Sequence, residues 1–482
     1  MLITDVQIAG HDRLLDVRCE QGRISEVGPS LRRWKEDTLL NAAGAALLPG
    51  LHDHHIHLYA LAMLCTSVPC GQPEVTNRAQ LQQALRADRG ISWLRGVGYH
   101  EAVAGDLDRW QLDSIRCDRP LKIQHRSGKL WMVNSLAADL LSLNEHTGLP
   151  GMELDASGRP NGRLFRLDGW MREQLAQAGP VDMPSLAGVS RMLASFGVTG
   201  VTDATPDNGR FAMAQFARAA ATGELLQALR VMGNEGLPES GCTQVQCAER
   251  KVMLDENSLP EWDELLAIFD TAHRAGRAIA VHCVTPAELV LTLSVLRAVG
   301  PHPGDRIEHA SLVPIDILPL LREVGVRVIT QPGFVYERGD QYLRDVAPLE
   351  HGDLYRCHSL LAHGIPLAGS TDAPYGNPDP WAAMRAAVTR RSRGDVALGE
   401  DEQLNPEQAL ALFTSAADDP GGASRKVAVG EVADLCLLNC SWQRARLRLS
   451  STDVRATLRQ GTLIYEQEYQ KRMRRLDATV SA

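Results

Sequence analysis

The 482-residue chain has no uncharged apolar run near the ~18 residues that a bilayer-spanning helix needs. Leu289 to Leu296 is typical of its short ones. Basic excess is missing too: 59 acidic against 50 basic residues give a net charge of −9. Nucleic acid and anionic membranes both reward a basic footprint, so no nucleic-acid or membrane partner is expected. The two small basic runs, Arg390-Arg391-Ser392-Arg393 and Lys471 to Arg475, read as solvated helix faces. The 10 cysteines form no framework, and Cys65/Cys70, Cys242/Cys247 and Cys436/Cys440 all lack CxxC spacing. Reduced, buried thiols are the expectation. Met-Leu-Ile-Thr-Asp5 has neither a basic n-region nor an apolar h-region, so a cytoplasmic location is expected. Sequence repeats, low-complexity tracts, a Gly-x-Ser-x-Gly elbow, a dinucleotide fingerprint and a phosphate loop are all absent. A serine hydrolase therefore has no local support.

What remains is an ordinary globular composition, 44% hydrophobic and 23% charged, in a chain long enough for a sizeable core. The first fifty residues carry short strand-like runs, Leu2 to Ala9, Leu14 to Glu20 and Arg23 to Val27, broken by turn signals such as Gly10-His11-Asp12. The same texture returns at Val427 to Gly430, Ala433 to Asn439 and Val454 to Glu466. Two β-rich termini flanking a long middle imply one small β-domain assembled from both ends.

The middle alternates between β-branched runs and Ala/Leu/Arg-rich stretches of helical spacing. Arg250 to Leu254, Ala278 to Val284, Arg306 to His309, Val326 to Thr330 and Ile365 to Ser370 are the strand-like pieces. Lys251 to His282 spans 31 positions and His282 to His309 spans 27, the lengths of βα units. Their repetition predicts a parallel sheet with helical cover. The less regular stretch from Thr66 to Met192, with its turn-rich piece Asp155 to Gly162, reads as early barrel units enlarged by insertions.

Several of these strands end on a residue able to bind a metal, and in a closed (β/α) barrel such ends converge on one site. In Leu47-Leu48-Pro49-Gly50-Leu51-His52-Asp53-His54-His55-Ile56-His57, side chains alternate, so His55 and His57 share a face and can chelate one ion. His52 and His54 form a competing frame that spacing leaves open. His282 and His309 end later strands, and Asp372 follows the run Leu367 to Gly369 in Gly-Ser-Thr-Asp-Ala-Pro. Imidazoles with one carboxylate suit zinc, with manganese or iron as further choices.

These motifs resemble the amidohydrolase superfamily. The stretch Pro49 to His57 is similar to its first-strand signature, Gly-x-x-Asp-x-His-x-His, which selects His55 and His57. His282 and His309 resemble the ligands of strands five and six, and Asp372 the aspartate of strand eight. Gly430-Glu431-Val432-Ala433-Asp434-Leu435 resembles the signature where the chain returns to a β-sandwich. Within the superfamily the chain looks most like the amidohydrolase-3 branch, which includes N-substituted formamide deformylases. The resemblance implies an α/β fold: a (β/α)8 TIM-like barrel with a small β-sandwich domain built from both chain termini. The expected division is 1–49 and 417–482 for the sandwich and 50–416 for the barrel, with an insertion at about 66–192.

The resemblance also implies the chemistry. In binuclear members a strand-four lysine, carboxylated by CO2, bridges two metals, and Lys251 holds that place in the order. Desolvation beside cations eases the loss of its proton; pairing with Asp255 or Glu256 is the structural alternative, and Lys129 in Ser127-Gly128-Lys129 is a rival for the bridge. The implied ligands are His55, His57, Lys251 and Asp372 around one ion and His282, His309 and Lys251 around the other, most simply two zinc ions. A metal-activated hydroxide would attack the carbonyl while Asp372 moves the proton, as general base and then acid. The branch often has a histidine where Lys129 stands and a glutamate near Arg166. With Arg126 and Arg338, these positive substitutions suggest an anionic group on the small-molecule substrate. Tyr336, Trp131 and Trp381 are candidates to pack on it, though a core role is expected for each. The expected function is cleavage of an amide or related C–N bond. The alternatives are a mononuclear heterocycle deaminase, which the absence of His-x-x-Glu at His282 counts against, and a non-catalytic scaffold. A homodimer is the default assembly.

Overall fold

The computed structural model describes residues 1–88, 93–177 and 183–467. The chain divides into two compact units, Met1–Leu58 with Ser185–Ala482, and Tyr59–Pro184. In the first, eight parallel strands follow one another in chain order: β1 (Leu51–Ile56), β2 (Val198–Asp203), β3 (Ala228–Gly233), β4 (Val245–Met253), β5 (Ile279–Cys283), β6 (Arg306–His309), β7 (Arg327–Thr330) and β8 (Leu367–Gly369). The two ends of the sheet meet just beyond β8, where Asp372 N–H donates to the His55 carbonyl (2.9 Å) and His57 N–H to that of Ala373 (2.8 Å). The result is a TIM-like barrel.

Covered on both faces, parallel strands normally read as apolar runs. β1 departs from that rule: all six residues of Leu-His-Asp-His-His-Ile are buried. Polar groups so placed need partners or a function.

The helix that follows β5 shows how sequence sets the βα units. Thr285 caps Pro286–Val299 and shares a capping box with Glu288; Pro286 pre-sets the first turn and Gly300 ends the helix. Glu288 is buried and accepts from Val284 N–H (2.7 Å), Thr285 N–H (3.0 Å) and, from the turn after the neighbouring β4, Glu256 N–H (3.0 Å).

Two four-stranded sheets build the second layer of this unit. One orders Arg23–Gly28, Leu15–Glu20, Leu2–Val6 and Leu39–Asn41; the other orders Thr462–Glu466, Val454–Arg459, Leu435–Leu438 and Leu47–Pro49. Ile3, Val17, Leu40 and Leu47 share one core with Leu435, Leu437, Ala456 and Leu458. Each Ile, Val or Leu among them contributes about 1.5–3 kcal/mol by burial. The β-sandwich is therefore made from both ends of the chain.

The segment read as enlarged early barrel units is instead a sheet of its own. Its six strands run in the order Met152–Leu154, Pro160–Phe165, Leu130–Val133, Leu121–His125, Leu94–Tyr99 and Val68–Pro69. It supplies no barrel strand, because β1 pairs directly with β2. Its clusters around Leu81, Leu112 and Ile123, and around Trp131, Leu141 and Leu164, give it separate cores.

Of the basic run at Arg390, Arg391 and Arg393 are exposed as expected, but they lie beyond the helix and Arg390 is not solvated. Arg390 ends the helix Pro380–Thr389 at φ 49° and is fully buried. Its guanidinium donates to the carbonyls of Leu354 (2.7 Å), Tyr355 (2.9 Å) and Leu398 (3.0 Å). Lys471 to Arg475 lie outside the described residues. All 10 cysteines are free thiols; Cys19, Cys70, Cys283, Cys357 and Cys436 are buried, whereas Cys65 and Cys117 are exposed. Among the described residues no helix is long and apolar enough to cross a membrane.

Candidate active site

β1 enters the site past Gly50, where a Cβ would lie 2.3 Å from Thr199 Cγ2 on the neighbouring strand. Only glycine allows that approach. The two histidine frames then separate. The rings of His52 and His54 lie tilted against each other, centroids 4.5 Å apart, with His52 Nε2 bonded to Thr202 Oγ1 (2.9 Å) and His54 Nε2 to Ser415 Oγ (3.1 Å). His55 and His57 turn toward Asp372, their Nε2 atoms 3.5 and 3.2 Å from its Oδ1. Ligand atoms of His55, His57 and Asp372 all lie within 4.8 Å of one another.

His282 at the end of β5 and His309 at the end of β6 pack edge to face at 4.4 Å, and His309 lies 4.9 Å from His55 between ring centroids. Both His309 (φ 69°) and Asp372 (φ 54°) adopt the left-handed conformation. For non-glycine residues this costs on the order of 1–3 kcal/mol, a strain that clusters at functional sites. Lys251, on β4, is buried, and its Nζ makes no hydrogen bond. No hydrogen bond therefore joins it to Asp255 or Glu256.

A second set of residues aims the imidazoles, and sequence reasoning missed it. His55 Nδ1 donates to the Glu308 carboxylate, His309 Nδ1 to Gln331 Oε1 (2.9 Å), and His57 Nδ1 bonds Thr205 Oγ1 (3.0 Å). Each bond engages Nδ1 and leaves Nε2 available, an arrangement able to fix a metal-binding tautomer. Glu308 carried one signal. Arg306 and Glu308 are opposite charges two apart on a strand, hence on one face.

Burial governs the charge states. It pushes His282 down to about 4 and His55 and His309 well below the ordinary imidazole range, with the nearby Lys251 adding to the effect. Neutral imidazole is the ligating form. Burial also lowers Lys251, against the opposing pull of Glu308. Asp53 is pushed up to about 7 by burial, against the hydrogen bonds it accepts from Thr371. Lys251 Nζ and Asp372 Oδ1 are both buried without a hydrogen-bond partner. Two orphaned donor atoms beside neutral imidazoles fit a divalent cation, and this nitrogen-and-carboxylate set suits Zn²⁺.

Residues 38–465 match the model of the Amidohydrolase family. The chain belongs to that family. It is 22% identical over 461 aligned positions to the N-substituted formamide deformylase of Arthrobacter pascens, covering 83% of this chain and 84% of that one. Among solved structures it superposes with TM-score 0.76 on an uncharacterized metal-dependent hydrolase from Pyrococcus horikoshii OT3, at 21% identity, covering 91% and 97% of the two chains. It also superposes with TM-score 0.56 on zinc-complexed atrazine chlorohydrolase TrzN from Arthrobacter aurescens TC1, at 14% identity, covering 99% of each.

The remaining candidate residues of this amidohydrolase fall in two places. Arg338 is half-buried; its Nη2 donates to the Tyr375 carbonyl (2.8 Å) and its guanidinium lies 3.8 Å over the Phe334 ring. Tyr375 in turn sets its ring edge-on to His57 at 5.5 Å. Pro374 and Tyr375 line a cleft of about 690 Å3 together with Gly333, Tyr336, Glu337 and Arg393. Trp381 is core, its Nε1 donating to the Phe196 carbonyl (2.9 Å), while Tyr336 is exposed. Arg126 and Lys129 belong to the other unit, on the exposed turn between Leu121–His125 and Leu130–Val133. Arg166, also exposed, donates its N–H to the Lys129 carbonyl (2.8 Å). Trp131 is buried in that unit and donates to Asp168 (2.6 Å).

Proposed function

We propose that this amidohydrolase cleaves an amide or related C–N bond of a small molecule, with Asp372 as the proton shuttle. The observation that carries the proposal is the convergence of His55, His57 and Asp372 beside the unpartnered, buried Lys251. His55, His57, Lys251 and Asp372 would hold one divalent ion and His282, His309 and Lys251 a second. When bound, such ions supply Lewis acidity at the carbonyl and make water acidic enough to attack near neutral pH. Zinc is the first choice on donor chemistry, and the zinc of TrzN supports it.

Lys251 would bridge as a carbamate: the neutral amine adds to CO2, an N–C bond forms and one proton leaves to solvent. Burial favours the neutral amine that this addition needs. Asp372 Oδ1, free of hydrogen bonds, can take a proton from the attacking water as its oxygen bonds to carbon. When the C–N bond breaks, the same carboxyl returns that proton to the leaving nitrogen. Similarity to a formamide deformylase puts N-formyl compounds first among candidate substrates. Arg338 orders the loop around Tyr375 through its bond to that residue's carbonyl.

A deaminase finds no support at β5. Glu288, the carboxylate nearest after His282, serves the capping box and the Glu256 turn. Metal content per chain, measured by plasma mass spectrometry on protein purified with bicarbonate and without chelators, tests the proposal together with turnover of N-formyl and N-acyl amines. Two zinc-class ions and amine release are expected. One ion with ammonia release from heterocycles would move the assignment to a deaminase, and no metal after reconstitution would end it.

A further inference from the structure

The interior of the barrel carries a series of buried charges that the proposed chemistry does not use. Arg230 on β3 donates through Nη2 to Glu249 Oε1 on β4 (3.3 Å). Arg306 on β6 approaches that same oxygen through Nη1 at 4.0 Å. Its Nη2 donates to Glu308 Oε2 (3.2 Å) and to the carbonyl of His54 (2.7 Å), and its Nε to Glu308 Oε1. Glu308 then accepts from His55 Nδ1. Signs alternate along the series, and it ends on an imidazole whose other nitrogen faces Asp372. Arg306 and Glu308 are wholly buried and Glu249 nearly so.

As a stabilising device this is a poor choice. Desolvating each ion is costly, and apolar side chains of similar volume would usually serve stability as well. What ions offer here is hydrogen-bond direction. A guanidinium can only donate. A carboxylate accepts, and with Arg306 donating to both its oxygens Glu308 is held in the orientation that accepts from His55 Nδ1 rather than turning away from it. The proton of His55 is then fixed on Nδ1 and its lone pair on Nε2. A side chain able to donate at the position of Glu308 would permit the opposite tautomer and withdraw the ligand atom.

We infer that Arg306 is a positioning residue for His55, acting through Glu308, with Glu249 and Arg230 holding Arg306 in place. The consequence for metal binding rests on the proposed metal centre; the tautomer itself does not. Two measurements separate them. Nitrogen-15 histidine NMR of the metal-free protein, with the His55 signals assigned by their loss in His55→Gln, reads the tautomer directly. Competition with a chromophoric chelator reads zinc affinity. In wild type, Nδ1 of His55 should be the protonated nitrogen, and Arg306→Met should give a mixture of tautomers. Glu308→Gln and Arg306→Met should each weaken zinc binding roughly 10- to 100-fold. The double variant should lose no more than Glu308→Gln alone, because one path carries both effects. Arg306→Lys should recover part of the loss. Additive losses, or an unchanged His55 tautomer in Arg306→Met, would overturn the inference, since a merely structural arginine predicts both. Should Arg306→Met fail to fold, the near-isosteric Glu308→Gln reads the same tautomer shift, and its absence there overturns the inference equally. Absence of zinc binding in wild type, with the tautomer shift intact, would reject the proposed metal centre and leave the positioning of His55 standing.

Discussion

Asp53 on β1 accepts both the backbone N–H of Thr371 (3.0 Å) and its hydroxyl (2.5 Å), tying the loop that carries Asp372 to the strand that carries His55 and His57. This accounts for an aspartate in the first-strand motif that need not touch a metal. Thr371→Val removes one of the two donors and leaves a buried carboxylate short of a partner. The expected loss is about 1–3 kcal/mol of stability, measured by urea unfolding of the metal-free protein. Zinc retention under dialysis should fall alongside it.

Lys251→Met separates stability from metal binding. The substitution replaces a buried, unpartnered amine with an apolar chain of similar length, so the metal-free protein should be equally or more stable. Metal content should nevertheless drop by one or two ions per chain. Retention of two ions with full activity would remove Lys251 from the bridge.

Asp372→Asn keeps the shape of the side chain and abolishes its basicity. Turnover should fall by roughly 10²- to 10⁴-fold if Oδ1 moves the proton. Circular dichroism should be unaltered, and an unchanged rate would reassign the shuttle.

Lys122 gives a pH signature of its own. Its Nζ lies 5.5 and 5.4 Å from the ring centroids of Trp93 and Trp131, and burial, with help from Arg95, brings its pKa down to about 8. Between that value and the ordinary lysine range the unfolded chain binds the extra proton, so stability should rise with pH from about 8 to about 10.5. The rise is on the order of 3 kcal/mol at most. Lys122→Met should remove it from a series of thermal melts, raising stability most on the acid side of that window.

The parts legible in sequence are those whose signal is local. Strand ends at His282, His309 and Asp372 are visible because each polar residue interrupts an apolar run, and the capping box at Thr285 to Glu288 is contained in four residues. The partners of the imidazoles are not local. Glu308 meets His55 across 253 positions and Thr205 meets His57 across 148. In one dimension Glu308 is simply the residue before a histidine. Arg390 misled for a related reason: three arginines within four residues look solvated until the carbonyls that surround the first of them arrive from Leu354, Tyr355 and Leu398. The stretch Tyr59–Pro184 lacked the βα rhythm because it folds as a mixed sheet with two cores of its own.

The sandwich has a consequence for biosynthesis. Leu47 of the strand that leads into β1 pairs with Leu437, and Ile3 and Val17 are covered by residues beyond Ala433. During translation those apolar faces must wait until the residues beyond Ala433 have left the ribosome. Contacts so distant along the chain form slowly, and exposed strand edges invite aggregation in the interval. Release of the nascent chain before Leu435–Leu438 has emerged should therefore yield an insoluble product, even though every barrel strand has already been made.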